Sequence, residues 1–221
     1  MANRQATEIR VVTISASFGS GGSIVGPAVA ERLGLPFLDR ALPVAVSRTV
    51  DSTLEDAFAH DERPPTLLQR VFKGMAGSVG AWGLNVPPEA TITDDDAFCA
   101  GTAQVLRALA DTTGGVVLGR AGAVVLAQHP AAFHVRLDGD RAGRVARAAE
   151  QVDGDEEAAA RLLDQTDRDR EGYVRYFYKV DPRDSRLYHL LLDSTVIPLD
   201  VCSDLIVTAA RSSTPLRVRA L

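Results

Sequence analysis

Lysine is almost missing from this 221-residue chain: Lys73 and Lys179 stand against 22 arginines, a bias that carries no functional weight by itself. Cysteine is as scarce, and Cys99 and Cys202 lie far apart with no ligand spacing, which disfavours a zinc site or a disulfide framework and reads as two buried thiols. Basic excess is lacking too. With 24 Lys and Arg against 29 Asp and Glu the net charge is −5, so a general nucleic-acid or membrane-surface binder is not expected, although a local basic pocket stays open. No apolar run approaches the ~20 residues that span a bilayer. Met1 to Glu8 is polar, without the pattern of a secretory signal, and a cytoplasmic protein is expected. The four histidines are scattered away from any Ser or Cys nucleophile motif, which disfavours a hydrolase triad. There is no internal repeat and no low-complexity tract.

What is present, 46% hydrophobic and 24% charged residues, is the balance of one globular domain. The β-branched run Ile9 to Ser15 predicts a strand buried on both faces of a parallel sheet. Gly19 to Ser23 breaks it, and Ile24, Val25, Ala28, Val29 and Leu33 resume at helical spacing up to a stop at Gly34 and Pro36. Leu35 to Asp39 predicts a second strand, Ala41 to Thr49 a helix, Asp94 to Asp111 a long helix, Val116 to Gly119 a third strand and Phe133 to Asp138 a fourth. Tyr188 to Leu192 is the last strand and Pro198 to Arg211 a closing amphipathic helix. Alternating strands and helices predict an α/β fold, a mostly parallel five-stranded sheet covered by helices on both faces, with ligands at the carboxyl ends of its strands. Residues 51–93 read as an inserted subdomain. Asp140 to Tyr178 is charged, helical and interrupted at Asp153 and Gly154, the pattern of a mobile flap.

A Gly-rich loop between a buried strand and a helix presents backbone N–H groups at the positive end of the helix dipole, which makes an anion site. Against the phosphate-loop pattern G-x-x-x-x-G-K-[ST], the segment Ala16 to Ser23 keeps Gly21 and the Ser23 hydroxyl but has Ala16 for the first glycine and Gly22 for the lysine. A flexible turn is the plain alternative. Gly19, Gly21 and Gly26 fit the dinucleotide-binding spacing poorly, although Asp39 stands where that motif has its acidic residue. Asp39 also suits a helix N-cap, Arg40 beside it a solvated arginine, and Arg120 at a strand's carboxyl end a phosphate ligand or an ion pair. Arg141, Arg144 and Arg147 recur at every third position, a row that is commonly a solvated face. Tyr173, Tyr176, Phe177 and Tyr178 cluster beside Lys179 for packing, a subunit contact or base stacking.

Along most of its length the chain resembles the cytidylate kinase-like proteins, a branch of the nucleoside monophosphate kinases within the P-loop fold. The resemblance rests on the order and spacing of Ile14 to Ser23, Pro36 to Arg40, Val116 to Gly122, Arg136 to Asp138, Asp167 to Arg170 and Leu187 to Thr195. It implies a P-loop NTPase fold in a single domain, with core residues 8–50, 94–139 and 184–213, an acceptor-side helical insertion at 51–93 and a helical lid at 140–183. Gly19, Ser20, Gly21, Gly22 and Ser23 would cradle ATP phosphates, with Ser23 on the Mg²⁺ side, and Arg141 or Arg144 would approach ATP. Arg120 resembles the arginine that grips an acceptor monophosphate, and Arg168, Asp169 and Arg170 resemble the lid. Arg120, Arg168 and Arg170 are then the catalytic cations, and Asp39, Arg40, Arg120 and Asp169 face the acceptor. The expected activity is transfer of the ATP γ-phosphoryl group to a nucleoside monophosphate such as CMP, with a homodimer left open. Gly22 and Ala16 motivate an alternative, a nucleotide sensor without transfer; the unfamiliar 51–93 stretch motivates another, a kinase for a different small acceptor.

Overall fold

The computed structural model describes residues 9–39, 95–119, 121–150, 152 and 154–213. The helix expected at 41–49, the 51–93 insertion, Arg40 and Arg120 lie outside them. The chain divides into two compact units, residues 1–39 with 106–221 and residues 40–105. In the second, the described part is the start of one helix.

The first unit contains β1 (Val11–Ala16), α1 (Gly22–Leu33), β2 (Phe37–Leu38), the end of α2 (Asp95–Asp111), β3 (Gly115–Leu118), α3 (Gly122–Val125) and β4 (Ala132–Asp138). After these come α4 (Arg141–Ala149), α5 (Glu156–Tyr178), a 3-10 turn at Ser185–Leu187, β5 (Leu190–Asp193) and α6 (Leu199–Ser212). The described strands form one sheet in the order β2-β3-β1-β4-β5. Every pairing is parallel, with Ile14 opposite both Leu118 and Val135. The unbroken apolar sequence of β1 therefore has its cause: it is the central strand, and Val11 to Ile14 are buried. Val12, Ile14, Val25, Val29, Val116, Leu118, Val135, Leu137, Cys202 and Ile206 form the core under α1 and α6. Each fully buried side chain of this size contributes about 1.5–3 kcal/mol.

Boundaries follow the chemistry of the ends. α1 starts after Gly21 and stops at Gly34, both left-handed, with φ of 79° and 66°. α4 starts where the Asp140 carboxylate accepts from the amides of Ala142 and Gly143, and α5 starts at Asp155, which caps Ala158. The expected break between them is real and turns at Gly154, φ 84°. α4 and α5 pack through Val145, Ala148, Ala149, Ala159 and Leu163, against which Phe18 of the loop is seated. β5 begins two residues later than its sequence predicts. The Tyr188 hydroxyl donates to the Pro182 carbonyl at 2.7 Å, and Tyr188 closes the 3-10 turn ahead of the strand.

Candidate functional site

Residues 16–23 leave β1 at the carboxyl edge of the sheet and enter α1. Each carbonyl from Ala16 to Gly21 has a donor on the protein side. Arg170 Nη1 donates to Ala16 O at 3.0 Å, and Ser20 donates to Ser17 O through its amide and its hydroxyl. Arg144 Nη1 reaches Phe18 O at 3.0 Å, Arg147 Nη1 reaches Gly19 O at 3.0 Å, and the Ser194 hydroxyl reaches Ser20 O at 2.7 Å. Gly21 O accepts from Ile24 and Val25 in the first turn of α1.

A peptide's C=O and N–H point in opposite directions, so carbonyls held inward turn the following amides outward. The amides of Gly19, Gly21, Gly22 and Ser23 have no acceptor among the described residues. This concave row at a helix N-terminus attracts an anion. Gly19 and Gly21 make the curve possible with φ of 75° and 79°. The Phe18 amide is the exception, donating at 2.7 Å to the Asp167 carboxylate, whose other oxygen lies 2.6 Å from Arg144.

Gly22 stands where a phosphate loop carries lysine, and the structure shows why it stays glycine. A Cβ there would lie 2.5 Å from the Ala16 Cβ and 3.1 Å from Leu118 Cδ1. The two departures from the pattern, Ala16 and Gly22, are one packing solution: the methyl at 16 fills the space that a side chain at 22 needs.

Arg136 adds cationic charge beside the loop. Its guanidinium donates to Ser17 Oγ at 2.9 Å and to Asp138 Oδ2 at 3.0 Å. Burial opposes its charge, but Asp138 outweighs burial and leaves the Arg136 pKa raised; for Asp138, burial likewise opposes ionisation and Arg136 overcomes it, so the carboxyl titrates below its ordinary range.

The expected site residues divide. Gly19, Gly21, Gly22 and Ser23 form the row of amides, with the Ser23 side chain exposed, while the Ser20 amide turns back to Ser17 O. Arg144 and Arg170 reach the loop's carbonyls. Arg141 faces outward in a two-pronged pair with Asp164 at 3.2 and 2.7 Å. Arg168 is exposed and makes no hydrogen bond among the described residues, and Asp169 accepts from Gln165 one turn back on α5. Asp39 follows β2, half-buried. Position 120, outside the described residues, is flanked by left-handed Gly119 and Ala121, φ 77° and 52°; the second is a strained state for a residue with a Cβ.

Arg136, Arg147, Asp167 and Ser194 meet the loop as well and were not singled out as site residues. Arg147 shares the three-residue row of α4, Asp167 and Ser194 lie inside resembling motifs, and Arg136 follows His134 by two on β4, hence on one sheet face. The aromatic group at the end of α5 packs on itself, with Tyr173 and Phe177 rings 5.0 Å apart and Lys179 over Tyr176 at 5.0 Å.

An uncharacterized protein from Eubacterium ventriosum superposes with a TM-score of 0.66 at 18% identity, covering 92% of this chain and 99% of that one, which shows a shared fold. A shikimate kinase from Acinetobacter baumannii, in complex with shikimate, is more distant, with a TM-score of 0.45 at 15% identity over 91% and 95% of the two chains. A uronate isomerase from Corynebacterium glutamicum is 31% identical over 120 residues, which are 54% of this chain and 23% of the isomerase. This chain thus matches less than a quarter of that curated relative's length. The sequence profile of the cytidylate kinase-like family matches residues 11–196, most of the chain. With a central strand, a Gly-rich loop and a parallel sheet of this order, the chain belongs to the cytidylate kinase-like family and has a kinase-like P-loop fold.

Proposed function

We propose that the protein is an ATP-dependent phosphotransferase whose acceptor is a small molecule, a nucleoside monophosphate of the CMP type first. The observation that carries this is the row of four amides, Gly19, Gly21, Gly22 and Ser23, facing away from the carbonyls that arginines and Ser194 hold. ATP phosphates fit this row because it offers N–H donors and helix-dipole charge without a competing side chain at position 22. Mg²⁺ fits as a partner of the Ser23 hydroxyl, since it keeps most of its waters and takes few protein ligands; it would supply neutralisation of phosphate charge.

The chain's residues then act by position. The amides of Gly19, Gly21, Gly22 and Ser23 orient the donor phosphates, and Arg136, Arg144 and Arg147 lend positive potential from behind the loop, where a lysine would have acted from in front. Arg168, Arg170 and Arg120 are assigned to the charge that spreads over the transferred group. Asp39, Arg40, Arg120 and Asp169 are assigned to the acceptor side, and Arg141 or Arg144 to ATP; the two-pronged pair of Arg141 with Asp164 must open for Arg141 to serve. A cytoplasmic enzyme is consistent with the described helices, none of which is long and apolar enough to cross a membrane.

A ³¹P NMR time course with Mg²⁺-ATP and separate nucleoside monophosphates tests the proposal. Diphosphate formation with one acceptor is the expected result, and absence of turnover with every acceptor overturns it. The Ala16 and Gly22 packing favours a second reading, a nucleotide sensor, for which ATP resonances shift while no ADP appears.

A further inference from the structure

The two glycines that bend the loop are also its weak points. A peptide flips by changing ψ of one residue and φ of the next, and glycine lets that φ change sign without a Cβ penalty. The flip-prone peptides are Phe18–Gly19 and Ser20–Gly21, because Gly19 and Gly21 carry the positive φ. Each has its carbonyl tied by a side chain from elsewhere in the chain. Arg144 holds Phe18 O, and is itself fixed by Gly139 O at 3.2 Å and by Asp167 at 2.6 Å. Ser194, 1% exposed, holds Ser20 O at 2.7 Å and also reaches Asp138 O at 3.1 Å. Its backbone is fixed on both sides, with the amide donating to Asp138 O at 2.9 Å and the carbonyl accepting from Arg147 at 2.8 Å.

We propose that Ser194 and Arg144 are positioning residues of the loop, each pinning one flip-prone peptide so that the amides of Gly21 and Gly19 face a bound polyphosphate. Through these two bonds they act by keeping a donor from turning inward. The consequence for binding rests on the phosphate-site reading above, whereas the pinning does not. Ser194 is the cleaner test, since its truncation removes one oxygen while Arg144 serves three partners.

The experiment compares ¹⁵N-labelled wild type with Ser194→Ala, Ser194→Thr and Ser194→Cys, following the Gly19 and Gly21 amides with and without tripolyphosphate. Ser194→Ala is expected to broaden or double the Gly21 amide in the free protein and to weaken tripolyphosphate binding roughly tenfold, the order of one lost hydrogen bond. Ser194→Thr, which keeps the hydroxyl, restores both; Ser194→Cys, a weak donor of similar size, gives intermediate values if the alanine variant does not fold. An unchanged Gly21 amide in the free alanine or cysteine variant overturns the proposal, whatever the affinity. If Gly21 responds but wild type binds no tripolyphosphate, the pin stands and the phosphate-site reading falls.

Discussion

Two polar clusters on the same strands, one sheet face and two residues apart, obey opposite rules. In the middle of β1 and β4, buried His134 places Nδ1 2.8 Å from Thr13 Oγ1 and Nε2 3.2 Å from Leu126 O, and stacks on His189. Burial, with His189 beside it, lowers the His134 pKa to about 4 despite the hydrogen bond to Leu126 O, so the ring is neutral. At the strand ends Arg136 and Asp138 stay charged, because each supplies the other's counter-charge and the loop adds polar partners. Among the described residues, the centre of the sheet holds its polar groups neutral and mutually satisfied, and the ions sit where the chain turns into the Gly-rich loop.

Acid should break the contrast most. Since the folded His134 pKa lies below its ordinary 6.5, the folded state binds fewer protons than the unfolded one between about 4 and 6.5. Stability from this group is then complete above pH 6.5 and is lost as pH falls toward 4, by about 3 kcal/mol. Urea midpoints across that range check it, with His134→Gln flattening the profile. Next in size, Arg136→Met leaves Asp138 with the longer Arg144 pair at 3.8 Å and takes the Arg136 donor from Ser17, an expected loss of about 2 kcal/mol with weaker polyphosphate binding, read by urea melts and calorimetric titration. Thr13→Val removes one partner of the neutral pair and should cost about 1 kcal/mol with polyphosphate binding intact. Smallest is Arg141→Gln: its pair with Asp164 is exposed, so the urea midpoint should stay unchanged, and a fall in ATP turnover in that folded variant would place Arg141 at the nucleotide.

The sheet and the loop were legible because they are written in local chemistry: a β-branched run, then a Gly-rich break before an apolar helix that stops at Gly34. The roles of the arginines were not. Arg141, Arg144 and Arg147 fan over about 120° of α4, and sequence spacing cannot say which edge of that fan meets the loop. The packing of Val145, Ala148 and Ala149 on α5 decides it, turning Arg144 and Arg147 inward and leaving Arg141 to Asp164. Ser194 was hidden for the same reason, since its partner Ser20 is 174 positions away.

The fit of Ala16 against Gly22 also constrains how such a loop can change over time. A lysine arriving alone at position 22 collides with the methyl at 16, and a glycine arriving alone at 16 removes packing while restoring no cation. The route to a lysine-bearing loop therefore runs through a poorer intermediate in either order, and a lineage with the alanine–glycine pair is held there.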